Sequence, residues 1–220
     1  MNDIISIGQL NNRGIQMSNV IPLKKEFIQE TDVTFNVEKL VFEAKQLYSK
    51  YERNQLCLRK PKHLDDMLGI TFGSASINPN GNYGKDFEVY YDNEGKIITE
   101  EYWDTYIGIF NGLYITSCVK KIENYAYENF NYKIGRARLM RLKAKTCLTL
   151  HKDDSVVRFH VPIITNQACF FVNDNQVGRM QNIGKLYMYD TSTPHTAVNA
   201  SREDRIHLLV SCYKQQPKAA

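Results

Sequence analysis

Between Leu150 and Asn166 the chain reads LHKDDSVVRFHVPIITN, an apolar run that carries His151, Asp153, Asp154, Arg158 and His160. Charges buried in β-structure must be paired or must bind something. Four of the five histidines, His151, His160, His195 and His207, fall after residue 150. Side chains of a strand alternate between its two faces. His151 and Asp153 therefore face the same way if their strand continues to Asp153, and the same parity pairs Arg158 with His160 and Arg205 with His207. An H-x-D pair can give a metal two ligands on one side. His195, which follows the turn-forming DTSTP and begins the next strand, is the natural third. Two histidines and a carboxylate on one face leave the opposite positions open, the arrangement of non-haem Fe(II) oxygenases. Arg205 gives this short pattern its context. The turn ASRED returns the chain so that Arg205 comes back near the strand of His195. A guanidinium inside a barrel needs an anion, and a bidentate carboxylate is its best partner. A metal with open positions beside such an arginine can hold an oxo-dicarboxylate from both ends.

The elements that position these residues follow from periodicity. Val37, Leu40, Val41, Ala44, Leu47, Tyr48 and Tyr51 recur at helical spacing, with Asn36 as N-cap. Helices are also expected from about Glu100 to Phe110 and around Val119, Ile122, Ala126 and Phe130. RKPKHLDD and INPNGNYGK read as loops, and DFEVYYDNEGKIITE reads as a hairpin. After Gly135 seven short apolar segments follow one another: ARLMRLK, CLTLH, VRFHVPIIT, ACFFVN, KLYMYD, HTAVN and RIHLLVSCY. Strands at this spacing predict a sandwich or barrel. The expected organisation is an N-terminal arm over 1–35, a helical and hairpin lead-in over 36–134, and a β-core over 135–214, all in one cooperative domain. The fold class is thus mainly β with N-terminal helices.

Composition narrows the function classes. No apolar run is long enough to span a bilayer and no signal peptide is evident, so no membrane partner is expected and a cytoplasmic location is. The five cysteines show no C-x-x-C and read as reduced, mostly buried thiols. The net charge of +4 is modest. Arg136, Arg138, Arg141, Lys143 and Lys145 read as a solvated strand face rather than a nucleic-acid surface.

Four stretches carry a resemblance: GRARLMRLKAKTCLTLHKD, VRFHVPIITNQACFFV, GKLYMYDTSTPHTAVNAS and EDRIHLLVS. Over about Gly135 to Tyr213 the chain resembles the aspartyl/asparaginyl β-hydroxylase-like 2-oxoglutarate/Fe(II) oxygenases. The resemblance implies a double-stranded β-helix, the cupin-like jelly roll, with Fe(II) between its sheets. It implies His151 and His195 as iron ligands and Asp153 at the carboxylate position. The animal members after which the family is named lack that carboxylate, so the chain looks nearer the bacterial-type branch. Arg205 matches the arginine for the distal carboxylate of 2-oxoglutarate, and Arg158 and His160 match an R-x-H that lines the co-substrate pocket. The implied activity is a dioxygenase using O2 to hydroxylate an amino-acid side chain, in a protein, a peptide or free, with succinate and CO2 as co-products.

Other readings of the same residues stay open. Asp154 takes the carboxylate role if the register slips by one. Arg158 can be an ion-pair partner of Asp153 or Asp154. His207 reads as a hydrogen-bonded core residue, while His63 and Lys152 read as exposed. Two rival functions remain: a jelly-roll module that binds a ligand without turnover, and a cupin-like metal enzyme that does not use 2-oxoglutarate. The second has no need of Arg205.

Overall fold

A computed structural model describes residues 26–71, 100–153 and 157–214. The first 25 residues of the expected arm, the INPNGNYGK loop, the hairpin that follows it and Asp154 lie outside them. The elements are β1 (Ile28–Thr34), α1 (Val37–Lys50), β2 (Gln55–Cys57), β3 (Arg59–Lys60), α2 (Asp66–Thr71), β4 (Thr105–Tyr106), α3 (Tyr114–Phe130), β5 (Tyr132–Leu142), β6 (Thr146–Cys147), β7 (Val157–Ile164), β8 (Cys169–Asn173), β9 (Gln176–Gly178), β10 (Lys185–Asp190), β11 (His195–Asn199) and β12 (Arg205–Lys214).

Strand order explains the architecture. One antiparallel sheet runs β1-β10-β7-β12-β5-β2, and a second runs β6-β11-β8-β9. From β5 onward the chain crosses between the two sheets at each step except the β8–β9 hairpin, which is the double-stranded β-helix. Alternation along the large sheet sorts its two faces. Phe159, Val161, Leu208, Val210 and Leu139 point outward to meet Leu40, Ala44, Val119 and Ile122 of α1 and α3. The residues between them point inward, where Leu142, Tyr187 and Tyr189 meet Phe171 and Ala197 of the small sheet. β12 lies in the middle of the large sheet and is buried from Arg205 to Cys212, on both faces.

The local signals set the helices. Asn36 caps α1 by accepting from the Lys39 amide at 2.9 Å. The C-cap of α3, Asn131, takes the left-handed conformation (φ 54°), which asparagine tolerates better than most residues. Three expectations need correction. Residues 100–110 are not a helix: two 3-10 turns, Glu100–Tyr102 and Gly108–Phe110, flank β4, which pairs with β3. Trp103 and Ile107 are buried there and Gly108 weakens any helix, so packing overrides the periodicity. RKPKHLDD is not all loop, because Arg59 is buried in β3 and donates to the Ile134 carbonyl at 2.7 Å. The basic stretch after Gly135 is not a uniformly solvated face. Arg138 is buried and bonds Gln55 at 2.9 Å, and Arg136 pairs with Glu100. Lys143 and Lys145 are exposed, as expected.

One side chain closes the turn between β11 and β12. The buried Asn199 donates to the carbonyls of Leu142, Lys143 and Glu203 at 2.9, 3.1 and 2.8 Å, and accepts from the amide and hydroxyl of Ser201. It thereby ties the end of β5, the end of β11 and the approach to Arg205 into one unit. Asn199→Ala would orphan several buried groups, each worth about 1–3 kcal/mol. The expected loss is about 2–4 kcal/mol in urea unfolding, and a change under about 0.5 kcal/mol would show that the turn holds without it.

Candidate metal centre

The strand expected at CLTLH is only the two residues Thr146 and Cys147, of which Cys147 alone lies in that segment, and it pairs with β11. Beyond it His151 regains contact with β11 through a single bridge to His195. The His151 amide donates to the His195 carbonyl at 3.1 Å and the His195 amide returns the bond at 2.8 Å. The Asp153 amide then donates to the Thr191 carbonyl at 3.3 Å. This irregular backbone places one ligand atom each of His151, Asp153 and His195 within 4.8 Å of one another. The two imidazole centroids are 4.4 Å apart.

Both rings are aimed by main chain. Nδ1 of His151 lies 2.7 Å from the Thr149 carbonyl, and Nδ1 of His195 lies 2.9 Å from that of Thr193. A carbonyl only accepts, so both Nδ1 atoms carry a proton and Nε2 is the nitrogen each ring offers to a metal. Asp153 Oδ2 sits 2.7 Å from Arg158 Nη2 and 3.4 Å from His195 Nε2. Burial works to raise the Asp153 carboxyl, but the neighbouring His195 ring and the charge of Arg158 outweigh it and hold the group far below the usual carboxylate range. It is an anion at any ordinary pH. Burial lowers His151, which keeps it neutral and able to ligate. These donors fit Fe(II): two imidazole nitrogens and one carboxylate oxygen, converging from one side.

A cavity opens from this centre between the sheets. Arg205, His160, His207 and Arg158 line it together with Phe171, Tyr189, Met140 and Leu209. Arg205 is 3% exposed and lies over the Phe171 ring, 4.9 Å from its centroid. Burial lowers its guanidinium to about 10, so it remains charged at neutral pH. Its Nε and Nη1 are buried without a hydrogen-bond partner, as is Nε2 of both His160 and His207. A carboxylate seated against Arg205 would satisfy its guanidinium.

The six sequence-named residues thus meet around one cavity and its metal end. Arg158 does two things, lining the cavity and pairing with Asp153. His207 is buried and hydrogen-bonded, as expected, through Nδ1 to His160, but its Nε2 has no partner and its ring lines the cavity. His63 and Lys152 are exposed, as expected. Three contributors were not singled out from sequence. Tyr189 packs edge-on against His195 (5.4 Å), Phe171 lies under Arg205, and Asn173 tethers the loop before His195 through Asp190 and Thr193. The alternation in KLYMYD and ACFFVN was the available signal for the two aromatics.

Burial and the charge of Arg205 drive His160 and His207 well below the ordinary value of 6.5. Below that value the unfolded chain takes up protons on both and the folded chain does not. Stability of the metal-free protein should therefore fall as pH drops, by about 1.4 kcal/mol per pH unit for each histidine. Urea unfolding on both sides of pH 6.5 checks this, and His207→Leu should remove part of the slope.

Among the described residues no helix is long and apolar enough to cross a membrane. All five cysteines are free thiols and only Cys147 is exposed.

A family model described as aspartyl/asparaginyl β-hydroxylase matches residues 112–215. The L-proline cis-4-hydroxylase of Rhizobium meliloti (strain 1021) is 26% identical over 78 residues, 33% of this chain and 28% of that protein, so the match spans under a third of the relative's length. Among solved structures, the viral collagen prolyl hydroxylase of Paramecium Bursaria Chlorella virus-1 superposes with a TM-score of 0.51 at 9% identity, over 87% of this chain and 98% of that one, a likeness of fold. The resemblance read from the sequence is therefore supported: residues 112–215 are similar to the aspartyl/asparaginyl β-hydroxylase family.

Proposed function

We propose that the chain is a 2-oxoglutarate- and Fe(II)-dependent dioxygenase that hydroxylates an amino-acid side chain, in a protein or peptide or as the free amino acid. One observation carries this reading: a histidine–aspartate–histidine cluster and a buried arginine with unfilled hydrogen-bonding capacity border the same cavity. The family match and the L-proline hydroxylase among the relatives support it, and the latter makes free amino acids the first substrates to try.

His151 and His195 would hold Fe(II) through Nε2, and Asp153 through its carboxylate. When bound, the metal and co-substrate supply the oxidising chemistry, in which O2 is consumed, 2-oxoglutarate becomes succinate and CO2, and one oxygen atom enters a substrate C–H bond. The chain's own part is positional. Thr149 and Thr193 fix the ligand rings, and Arg158 orients the Asp153 carboxylate. Arg205 would anchor the distal carboxylate, with Arg158 and His160 beside the co-substrate. Phe171, Tyr189, Met140 and Leu209 wall the cavity and keep water from the reacting atoms.

The test is substrate-independent turnover. Purified protein loaded anaerobically with Fe(II) and given 2-oxoglutarate and O2 should release succinate slowly, and faster with the right amino-acid substrate. Protein that binds iron but neither binds 2-oxoglutarate nor forms succinate would return the site to a binding module or another cupin-like metal enzyme.

A further inference from the structure

His207 has no part in the reading above, yet it faces the cavity. It lies two residues after Arg205 on β12, and residues two apart on a strand share a face. His160 approaches from the neighbouring β7, with its Nδ1 3.5 Å from Nδ1 of His207. The two residues are 3% and 1% exposed, and neither Nε2 has a partner. Both rings are neutral at pH 7, because burial and the adjacent Arg205 oppose a further positive charge.

Two neutral imidazoles that meet Nδ1 to Nδ1 share one proton in that contact. One Nδ1 donates and the other accepts. The tautomers are therefore opposite. One ring turns an Nε2–H outward and the other turns out a lone pair. A carboxylate accepts hydrogen bonds and donates none, so only the ring with Nε2–H can serve an anion beside Arg205.

We propose that His207 is that ring: His160 Nδ1–H donates to His207 Nδ1, and His207 Nε2–H donates to the carboxylate held by Arg205. His207 is then a co-substrate-binding residue and His160 the positioning residue behind it. Strand placement selects His207, which shares both strand and face with Arg205. This inference rests on the 2-oxoglutarate reading of the same cavity.

Binding to the Zn(II)-loaded protein, which cannot turn over, provides the test by calorimetry. His207→Leu should raise the Kd for 2-oxoglutarate about 10- to 100-fold, as expected for one hydrogen bond to a charged group, and leave Zn(II) affinity unchanged. His207→Gln, which restores an N–H, should recover much of the loss. Nitrogen-15 spectra of the wild-type imidazoles should show His207 protonated on Nε2 and His160 on Nδ1. They need no variant, and so decide the matter if His207→Leu fails to fold. In His160→Phe the His207 signal should become a mixture of tautomers. An Nδ1–H tautomer at His207, or equal 2-oxoglutarate affinity in wild type and a folded His207→Leu, overturns the inference alone. A wild-type protein that binds Zn(II) but no 2-oxoglutarate overturns the functional reading and this inference with it.

Discussion

His195→Ala should abolish iron binding and turnover while leaving the fold in place. His195 begins a strand whose register with β8 is set by backbone bonds from His195 to Asn173 through Asn199 to Cys169, and removing the imidazole breaks none of these. The bridge to His151 is also made by backbone atoms. What disappears is one of three donor atoms. Loss of a mere outer partner of a ligand costs about 10–100-fold in metal affinity, so loss of the ligand itself should exceed that. His151→Ala should behave alike. Asp153→Ala should act doubly, since it also strips Arg158 of its carboxylate. The readouts are equilibrium iron binding, far-ultraviolet circular dichroism and succinate release. Wild-type iron affinity in His195→Ala would sink the triad assignment. Running Asp153→Ala beside Asp154→Ala determines which carboxylate is the ligand.

Arg205→Ala should spare iron and lose the co-substrate. Truncating one partner of a buried, hydrogen-bonded charge pair costs about 2–5 kcal/mol, which is about 30-fold to several thousand-fold in 2-oxoglutarate affinity. The fold should tolerate the change, because Arg205 packs on Phe171 at the cavity wall and faces away from the helix-covered core. Unchanged 2-oxoglutarate affinity would move the anchor to Arg158.

How much of this was legible depended on the range of the interaction. Alternation in VRFHVPIIT and RIHLLVSCY marked the strands and their faces, because a two-residue period survives in any local window. The long α1 and α3 were equally plain, since their apolar stripes repeat over several turns. The 100–110 segment misled because Trp103, Ile107 and Phe110 are buried through non-local pairing of β4 with β3, which no window contains. Arg138 misled for the same reason: a strand arginine looks solvated until Gln55 and Cys57 of β2 are laid beside it. In the site, the grouping of His151, Asp153 and His195 was readable from residue type and spacing. The opposed imidazoles of His160 and His207 were hidden, because their meeting depends on the register of β7 against β12.

Asn199 bears on which acids the cavity can accept. The metal end hangs on β11 and the anion end on β12, and one amide group locks the turn between them to the end of β5. The two ends cannot slide apart to suit a longer chain. Under the proposed function the cavity is a ruler, with its zero mark at His195 and its stop at Arg205, and a 2-oxo acid one methylene longer or shorter than 2-oxoglutarate reaches only one of them.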